Sequence, residues 1–486
     1  MNEHPCILYA YPAGWSDDIL INADTLAVEG YSDIGIDSNN NIWITWDDNS
    51  LVSGEIYYSK RDSLGNCLIA ETNLSGTASI SHFSRIACDH SDNIQFIWRD
   101  ASPLGEGVWH AKLANDGSVI VASHLAVSGG GGYFSTLLPA MVLDKYKNIN
   151  IIWDEDSAGN NKMCFSKLDS VGTPIIEKLS ISPDIFDAYW PGIGVDSMAN
   201  CHLGYRTDSA GGPYWDWLTY SKVDKDGTII IANRILGYGL SPAIIADYYQ
   251  NIHMVYTNFR GPGTTIEYLK LDQDGNFLIG PDTINSPVYV DNTWGHMAMD
   301  SLQYLHVVWV AHSTPVSDRI MYAKLDTLAN YVIPPMSIVY PPYAAWPSAP
   351  RIAVDRSNRL HVTWNDQRLN PGITQDIFYK RGENEQCISD TVINRYHQSF
   401  SLSVSPNPFT DRTLIAVSRS DGNEICKLEI YNVVGQVVNE YKLDGQHESV
   451  VWRGVDKKGI QLPAGVYFVY LQSNKGWSKC VMVKLK

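Results

Sequence analysis

An aspartate that is followed nine residues later by an aromatic residue recurs seven times along this chain. The seven pairs are Asp37 with Trp46, Asp89 with Trp98, Asp144 with Trp153, Asp196 with Tyr205, Asp247 with Tyr256, Asp300 with Trp309, and Asp355 with Trp364. Successive aspartates lie 51 to 55 residues apart, and a period of this length in strand-like sequence is typical of repeat arrays. The chain is therefore expected to fold as seven structural units of one kind.

Each copy of the repeat contains four short apolar segments that are separated by turn residues. Asp-Gly pairs such as Asp226-Gly227 follow the third segment in three copies, and these pairs supply the positive φ angles that tight hairpins need. Four strands in each of seven units predict an all-β fold, a seven-bladed β-propeller. Two or three β-sandwiches in series are the alternative, but sandwiches would not keep one nine-residue interval through seven copies.

The propeller is expected to span residues 1–398, with its ring closed by the N-terminal stretch. The sequence Ile19-Leu20-Ile21 resembles the fourth segment of a repeat, yet it precedes the first copy. We expect it to form the outer strand of the last blade, because such a strand would hide an exposed sheet edge. Residues 386–393 compete for the same position.

A second domain is expected over residues 399–486, where the repeat period stops. Alternating apolar runs with turns between them predict a small Ig-like β-sandwich. Phrases such as Ser405-Pro-Asn-Pro-Phe409 and Leu462-Pro-Ala-Gly-Val-Tyr-Phe-Val469 resemble the C-terminal sorting domain of proteins exported by the type IX secretion system. The resemblance implies that the secretion machinery is a partner and that the protein is extracellular or lies on the outer-membrane surface. A sandwich without a sorting role is the alternative.

Cargo of this secretion system normally carries an N-terminal signal peptide. The start of this sequence, Met1 to Pro5, lacks the basic and apolar regions of such a peptide, so we expect a mature or engineered form with Met1 added. No apolar run approaches the roughly 20 residues of a membrane-spanning helix. The formal net charge of −17 argues against nucleic acid as a partner, because phosphate backbones bind basic surfaces.

Two kinds of loop open on one face of a propeller, and both carry marked residues in this chain. Aromatic residues stand at or near the position six residues before the repeat aspartate, namely Tyr31, Phe83, Trp190, Trp294 and Trp346. Carboxylates two positions after the repeat aromatic include Asp100 and Asp366. Aromatic faces stack on sugar rings and carboxylates accept hydroxyl hydrogen bonds, so this face is expected to bind a glycan or another surface polymer. The alternative is that the aromatics pack against neighbouring blades.

Three residues at the start of inner strands are also candidates for the ligand site. Arg351, Asp33 and Arg85 stand four positions before the repeat aspartate in blades that are adjacent around the ring. Two arginines that flank one acid could hold an anionic group bidentately, and Arg368 follows Asp366 in the last blade. An ion pair that is already satisfied is the alternative.

No cofactor is expected from the sequence. Histidines recur six residues after the aspartate in four copies, but equivalent positions on different blades are too far apart to share one metal ion. The acidic stretch that contains Asp154 and Asp156 could hold a structural calcium ion, although a solvated acidic loop is the preferred interpretation.

The last copy, with Ile352-Ala-Val-Asp355 and Leu360-His-Val-Thr-Trp-Asn-Asp-Gln-Arg368, resembles repeats of the sialidase-like propeller superfamily. That superfamily includes glycosidases, lyases and many non-catalytic surface proteins. The chain lacks a Ser-x-Asp-x-Gly-x-Thr-Trp box, and its arginine clamp is incomplete. No catalytic residue is therefore assigned, and a secreted carbohydrate-binding module is favoured. A glycoside hydrolase or lyase of this type is the alternative, and a structural surface component without a small ligand is a third interpretation.

Overall fold

The computed structural model describes twenty stretches of the chain. They are residues 14–23, 30–48, 54–76, 80–102, 105–129, 138–157, 160–183, 186–209, 216–261, 263–285, 291–312, 318–339, 347–369, 374–383, 400–405, 408–419, 426–432, 436–443, 447–473 and 476–485. Within these stretches all regular structure is β, and no helix is present that could span a membrane. The chain divides into two compact units, residues 1–384 and 385–486.

Seven antiparallel sheets of four strands make up the first unit. Blade 1 consists of Asp33–Ile36, Ile42–Asp48, Glu55–Arg61 and Cys67–Asn73, and blade 2 of Ser81–Cys88, Ile94–Ser102, Gly105–Leu113 and Val119–Ser128. Blade 3 consists of Ala140–Leu143, Ile149–Ser157, Asn160–Leu168 and Pro174–Ser180, and blade 4 of Phe186–Val195, Cys201–Ser209, Trp217–Val223 and Ile229–Tyr238. Blade 5 consists of Leu240–Ala246, Ile252–Asn258, Thr265–Leu271 and Phe277–Thr283, and blade 6 of Asp291–Met299, Leu305–His312, Arg319–Leu325 and Tyr331–Ser337. Blade 7 consists of Ser348–Val354, Leu360–Asp366, Asp376–Gly382 and Ile19–Leu20.

The first strands of the seven blades contact one another in sequence, and the first strand of blade 7 contacts that of blade 1. The unit is thus a closed ring, and the predicted all-β propeller is confirmed. The outermost strand of blade 7 is Ile19–Leu20, which runs antiparallel to the third strand with Ile19 opposite Tyr379. Residues 386–393 lie outside the described residues.

The repeat aspartate holds the turn between the first and second strands of its blade. Asp37 accepts hydrogen bonds from the backbone N–H groups of Asn39 and Asn41, both at 2.9 Å, and from the Asn41 side-chain amide at 2.9 Å. Burial raises the pKa of Asp37, but the hydrogen bonds from Asn41 outweigh this effect and leave the pKa below its usual value. This short-range bonding explains why Asp and Asn recur together in the sequence.

The repeat aromatic packs between neighbouring blades. Trp153 of blade 3, which is fully buried, lies in one apolar cluster with Ile97 and Val108 of blade 2. Trp98 of blade 2 packs in the same way against Ile56 and Tyr58 of blade 1. The constant nine-residue interval therefore places one large side chain at each of these blade interfaces.

A cation on the third strand joins a blade to the next one at six described interfaces, and we call this residue the inter-blade cation. Lys167 lies 3.4 Å from Asp144 of its own blade and donates to the Lys225 carbonyl oxygen of blade 4 at 3.0 Å. The contacts of this kind run from Arg381 to Ser63, Lys60 to Asn115, Lys112 to Ser170, Lys167 to Lys225, Lys222 to Gln273, and Lys270 to Thr327. In each case the acceptor is the second residue of the next hairpin.

Blades 4 to 7 also contain a buried chain of tyrosine, histidine and aspartate. In blade 5, His253 Nδ1 lies 2.8 Å from the Tyr268 hydroxyl, and His253 Nε2 lies 3.2 Å from Asp247. The equivalent histidines are His202, His306 and His361. All four histidines are fully buried, so the recurrent histidines of the sequence stabilise the blades internally.

Two further sheets form the C-terminal unit. Their strands, in hydrogen-bonded order, are Phe400–Ser405, Thr413–Arg419 and His447–Trp452 in one, and Val437–Leu443, Cys426–Asn432, Gly465–Ser473 and Gly476–Lys484 in the other. One apolar cluster that includes Trp452, Leu428 and Val469 forms the core of this unit.

Loss of an inter-blade cation should destabilise the propeller. Lys167 is 3% exposed and Asp144 is fully buried, so Lys167→Met leaves a buried carboxylate without its cation and should lower the free energy of unfolding by about 3 kcal/mol. Denaturant unfolding followed by tryptophan fluorescence measures this loss. The matched control is Lys225→Met, whose side chain is 54% exposed and should change stability by less than about 0.5 kcal/mol. Equal stability of the two variants would contradict the role of the cation.

The buried histidines should make the propeller less stable in mild acid. Burial lowers the pKa of His253 despite the opposing effect of Asp247, whereas the unfolded histidine titrates near its usual value of ~6.5. The unfolded state therefore binds more protons below pH ~6.5, and stability falls with pH by up to ~1.4 kcal/mol per unit for each histidine. Unfolding free energies measured from pH 7 to pH 5 should show a smaller slope in His253→Gln. An unaltered slope in His253→Gln would refute this explanation.

Candidate functional site

Five blades share a bulge in the first strand, six residues before the repeat aspartate. The pairing with the second strand shifts at this point, for example between His82 and Arg85 in blade 2. The bulge residues have positive φ angles of 46° to 58° and are Phe83, Trp190, Ser241, Trp294 and Ala349. A left-handed conformation is uncommon for bulky residues and costs roughly 1–3 kcal/mol. Because Ser241 and Ala349 adopt the same bulge, the fold does not require an aromatic residue at this position.

Three aromatic side chains from different blades meet beside this bulge. Tyr31 of blade 1 lies 5.3 Å from Phe83 of blade 2 and 5.9 Å from Trp294 of blade 6, measured between ring centroids. All three side chains are partly exposed. Blades 1, 2 and 6 are brought together here by the closure of the ring, and we call these three residues the aromatic cluster.

Charged residues occupy the position two residues further along the first strands. Arg351, Asp33 and Arg85 stand there in blades 7, 1 and 2, and His296 occupies the same position in blade 6. The corresponding residues of blades 3, 4 and 5 are Ala140, Gly192 and Ala243. The ring therefore has a charged arc and an arc of small residues. His296 was not among the predicted site residues, although its offset from the aspartate marks it.

The charged arc carries more positive than negative charge. Arg351 Nε lies 3.8 Å from Asp33, which also accepts a hydrogen bond from the Ile86 backbone at 3.1 Å. Burial and then the charge of Arg85 lower the pKa of Arg351 to about 10. Burial, together with both arginines, also holds the pKa of His296 well below its usual value. Two guanidinium groups thus face one carboxylate and a neutral imidazole.

Asp47 lies next to the aromatic cluster and was not among the site residues predicted from the sequence. Burial, followed by the negative charge of Asp47, raises the pKa of Tyr31, so its hydroxyl is a neutral hydrogen-bond donor at ordinary pH. Asp47 is 1% exposed, and its Oδ1 atom has no hydrogen-bond partner. Its Oδ2 atom lies 3.3 Å from His82 Nδ1. A carboxylate oxygen without a donor therefore lies near Tyr31.

The two loop carboxylates that were predicted to bind the ligand lie in the interior of their blades and not in the aromatic cluster. Asp100 is buried and accepts hydrogen bonds from Ser81 at 2.6 Å and from the Trp98 indole at 3.4 Å. Asp366 is buried beside Trp364 and accepts two hydrogen bonds from Arg368 Nε, at 2.9 and 2.8 Å. Both carboxylates thus hold neighbouring side chains, and neither has a described contact with the aromatic cluster.

The other predicted residues do not join the aromatic cluster in the described part of the chain. Arg368 pairs with Asp18 of the N-terminal segment as well as with Asp366, so it holds that segment on blade 7. Trp190 lies on blade 4, where the Arg206 guanidinium is 5.3 Å from its ring. Trp346 lies outside the described residues.

The residues described by the structure contain no group of three or more His, Cys, Asp and Glu side chains arranged around a metal position. Asp154, which the sequence offered for calcium, is buried and accepts a hydrogen bond from the Leu138 backbone at 2.8 Å. Four described cysteines are free thiols, namely Cys67, Cys88, Cys164 and Cys201.

Residues 403–484 match the family model of the secretion system C-terminal sorting domain. The resemblance predicted from the sequence motifs is thus confirmed for the C-terminal unit. The C-terminal unit is a sorting domain of this kind, which indicates export by the type IX secretion system. A search of curated proteins finds no match to the chain.

Several solved structures are similar to this chain in fold. A protein of unknown function from Dyadobacter fermentans has 10% sequence identity and a TM-score of 0.47, with 76% of this chain and 100% of that chain covered. The polysaccharide lyase Uly1 has 10% identity and a TM-score of 0.47, with 73% and 90% covered. The leech intramolecular trans-sialidase has 8% identity and a TM-score of 0.42, with 74% and 68% covered. At these identities the likeness concerns the fold alone.

Removal of the C-terminal unit should block export without unfolding the propeller. The two units are separately compact, so a chain that ends at residue 400 should keep the melting temperature of the ring. In a host with type IX secretion the truncated chain should accumulate in the periplasm, which cell fractionation and surface proteolysis measure. The full-length chain at the same expression level is the control, and unchanged delivery of the truncated chain to the surface would show that sorting lies elsewhere.

Proposed function

We propose that the propeller is a non-catalytic binding module for an acidic glycan, held at the cell surface or released after type IX secretion. The observation that carries the proposal is the meeting of Tyr31, Phe83 and Trp294 beside Arg85 and Arg351. Aromatic faces suit the apolar faces of sugar rings, and guanidinium groups suit a carboxylate or sulfate substituent.

The backbone supports a ligand-binding role for the aromatic residues. Phe83 and Trp294 adopt left-handed conformations that bulky side chains rarely take. Ser241 and Ala349 occupy the same bulge in other blades, so packing of the bulge alone does not account for aromatic residues there. Strained conformations of this kind are concentrated at binding sites, and we infer that the two rings are presented for stacking.

The polar groups next to the cluster complement a sugar acid. Arg351 and Arg85 supply donors for an anionic substituent, and the neutral Tyr31 hydroxyl supplies another donor. Asp47 offers a carboxylate oxygen that has no partner, and a buried acceptor without a donor is costly. A sugar carries both the hydroxyl donors and the acidic acceptors that such a set of groups requires.

Binding is favoured over cleavage because the carboxylates suggested as acids are already engaged. Asp100 and Asp366 hold Trp98 and Trp364 in the blade interior. General acid catalysis requires a carboxyl group within hydrogen-bond reach of the scissile bond. Those two buried carboxyl groups do not meet this requirement at the aromatic cluster.

A glycan-array screen with the purified chain should retain acidic glycans, and two variants should weaken that binding. Phe83→Ala removes a stacking face worth about 0.5–1.5 kcal/mol, which corresponds to a loss of two- to tenfold. Arg351→Gln removes a charge-assisted hydrogen bond worth roughly 1.5–3 kcal/mol, a loss of at least tenfold. Calorimetric titration with the selected glycan measures both effects.

Arg234 provides the matched control, since its guanidinium contacts Asp274 and Asn276 in the hairpin after the third strand of blade 5, and Arg234→Gln removes the same charge at the other end of a blade. Phe83→Ala should leave the melting temperature nearly unchanged, because the bulge already accepts Ser241 and Ala349. Wild-type affinity in both site variants would place the glycan elsewhere. Failure of the screen to retain any acidic glycan would also contradict the proposal, and hydrolysis of a retained glycan would favour the glycosidase alternative.

A further inference from the structure

Blade 2 departs from the repeat near its outer edge. The residue two positions before the inter-blade cation is Tyr or Phe in the other six blades, and it is His110 in blade 2. Directly opposite His110, on the fourth strand, stands a second histidine, His124. The residue pair at the same place in blade 3 is Phe165 with Leu179. A cross-strand pair of histidines is therefore found here in place of an apolar pair.

The hydrogen bonds of Gln95 determine which nitrogen of His110 carries the proton. The Gln95 side-chain amide donates to the Ser170 carbonyl oxygen at 3.2 Å, so its own carbonyl oxygen points towards His110. His110 Nε2 lies 2.8 Å from that oxygen and must donate to it. The proton is thus on Nε2, and Nδ1 presents a lone pair. His110 is fully buried, and Nδ1 has no hydrogen-bond partner.

His124 is fixed in the complementary way. Its Nδ1 lies 3.1 Å from the Ala122 carbonyl oxygen, which can only accept, so Nδ1 carries the proton. The lone pair of His124 is therefore on Nε2. Backbone and amide oxygens that bond the second ring nitrogen in this manner are the usual outer partners of histidines that bind metal ions.

The two nitrogens that carry these lone pairs border one space above Gly172 of the neighbouring blade. A Cβ atom on Gly172 would collide with His110 Nδ1 and would lie 2.8 Å from His124 Nε2. The ring planes are nearly perpendicular, at 86°, with centroids 5.2 Å apart. Gly172 has a φ of 87° and lacks a side chain, so nothing from that residue fills the space. Two lone pairs that face one point repel each other unless a cation or a donor lies between them.

We propose that His110 and His124 together bind a divalent transition-metal ion, Cu²⁺, Ni²⁺ or Zn²⁺, in the space above Gly172. Imidazole is a preferred ligand of these ions, and for a given site copper binds more tightly than nickel or zinc. Two protein ligands leave the other coordination positions to water. His124 is only partly buried and provides the route by which the ion enters.

The surroundings of His110 favour the neutral imidazole, which is the form that binds metal ions. Burial, followed by the nearby His124 and Lys112, lowers the pKa of His110 to about 3. Lys112 is itself held by Asp89 and by the Ser170 carbonyl oxygen, so the Asp89 carboxylate offsets part of its positive charge. Asp169, in the same hairpin as Gly172, adds a negative charge close to His110.

Titration of the tag-free, full-length chain with Cu²⁺ tests the site. We expect one saturable site by calorimetry, with an electron paramagnetic resonance spectrum that shows coupling to two imidazole nitrogens. The double variant His110→Phe, His124→Leu copies the pair of blade 3 and should fold, and it should lose at least tenfold in affinity at that site. Gly172→Ala should weaken binding as well, because its methyl group would crowd the space that the two ring nitrogens border.

The exposed His90 is the control, since His90→Gln should keep the affinity and the spectrum of the wild type. Melting in the presence of a chelator verifies that each variant is folded, and Zn²⁺ should raise the melting temperature of the wild type more than that of the double variant. Equal copper affinity in the double variant and the wild type would overturn the proposal. So would the absence of saturable binding in the wild type, the result expected if a water molecule alone lies between the rings.

Discussion

The contact of a third-strand cation with its own aspartate and with the next hairpin is the interaction on which the ring depends. Among the described residues, neighbouring blades share no continuous ladder of backbone hydrogen bonds, so side-chain packing and this cation make much of the contact between them. Lys167 neutralises Asp144 and bonds to a backbone oxygen of blade 4 at once. Arg381 makes the same contact to Ser63 across the point of closure. The turn, the blade and the blade interface are thereby coupled through one ammonium or guanidinium group.

Because a few repeated residues make the contacts within and between blades, the residues at other positions can differ from one blade to the next. The repeat aspartate, the aromatic nine residues later and the cation occupy the interior and the hairpin side of the ring. The residues four and six positions before the aspartate contribute little to those contacts, and they change from Asp33 to Arg85 to Ala140 in successive blades. A regular scaffold with an irregular inner rim is what a ring needs to bind an asymmetric ligand, since identical blades would offer the same group seven times.

The fold could be predicted from the sequence because its period depends on short-range chemistry. An aspartate that bonds the backbone two and four residues later leaves a fixed spacing, and so does a large aromatic residue, Trp or Tyr, at the blade interfaces. The site could be predicted only in part. The bulge at Phe83 was not foreseen, since a bulky residue gives no sign of a positive φ angle. The burial of Asp366 was foreseeable, because residues two apart on a strand share one face, which places this carboxylate beside Trp364.

Departures from a repeat carry more information about function than the repeat itself. A residue that all blades share is explained by the fold, whereas a residue found in one blade needs a cause of its own. His110 and His124 are such a case, and so are the arginines of blades 2 and 7. The two sets lie at opposite ends of the blades: the arginines follow the bulge that begins the first strand, and the histidines lie beside the hairpin that ends the third. The two sets stand on different strands and no described hydrogen bond links them, so metal binding at one end and ligand binding at the other should be energetically independent.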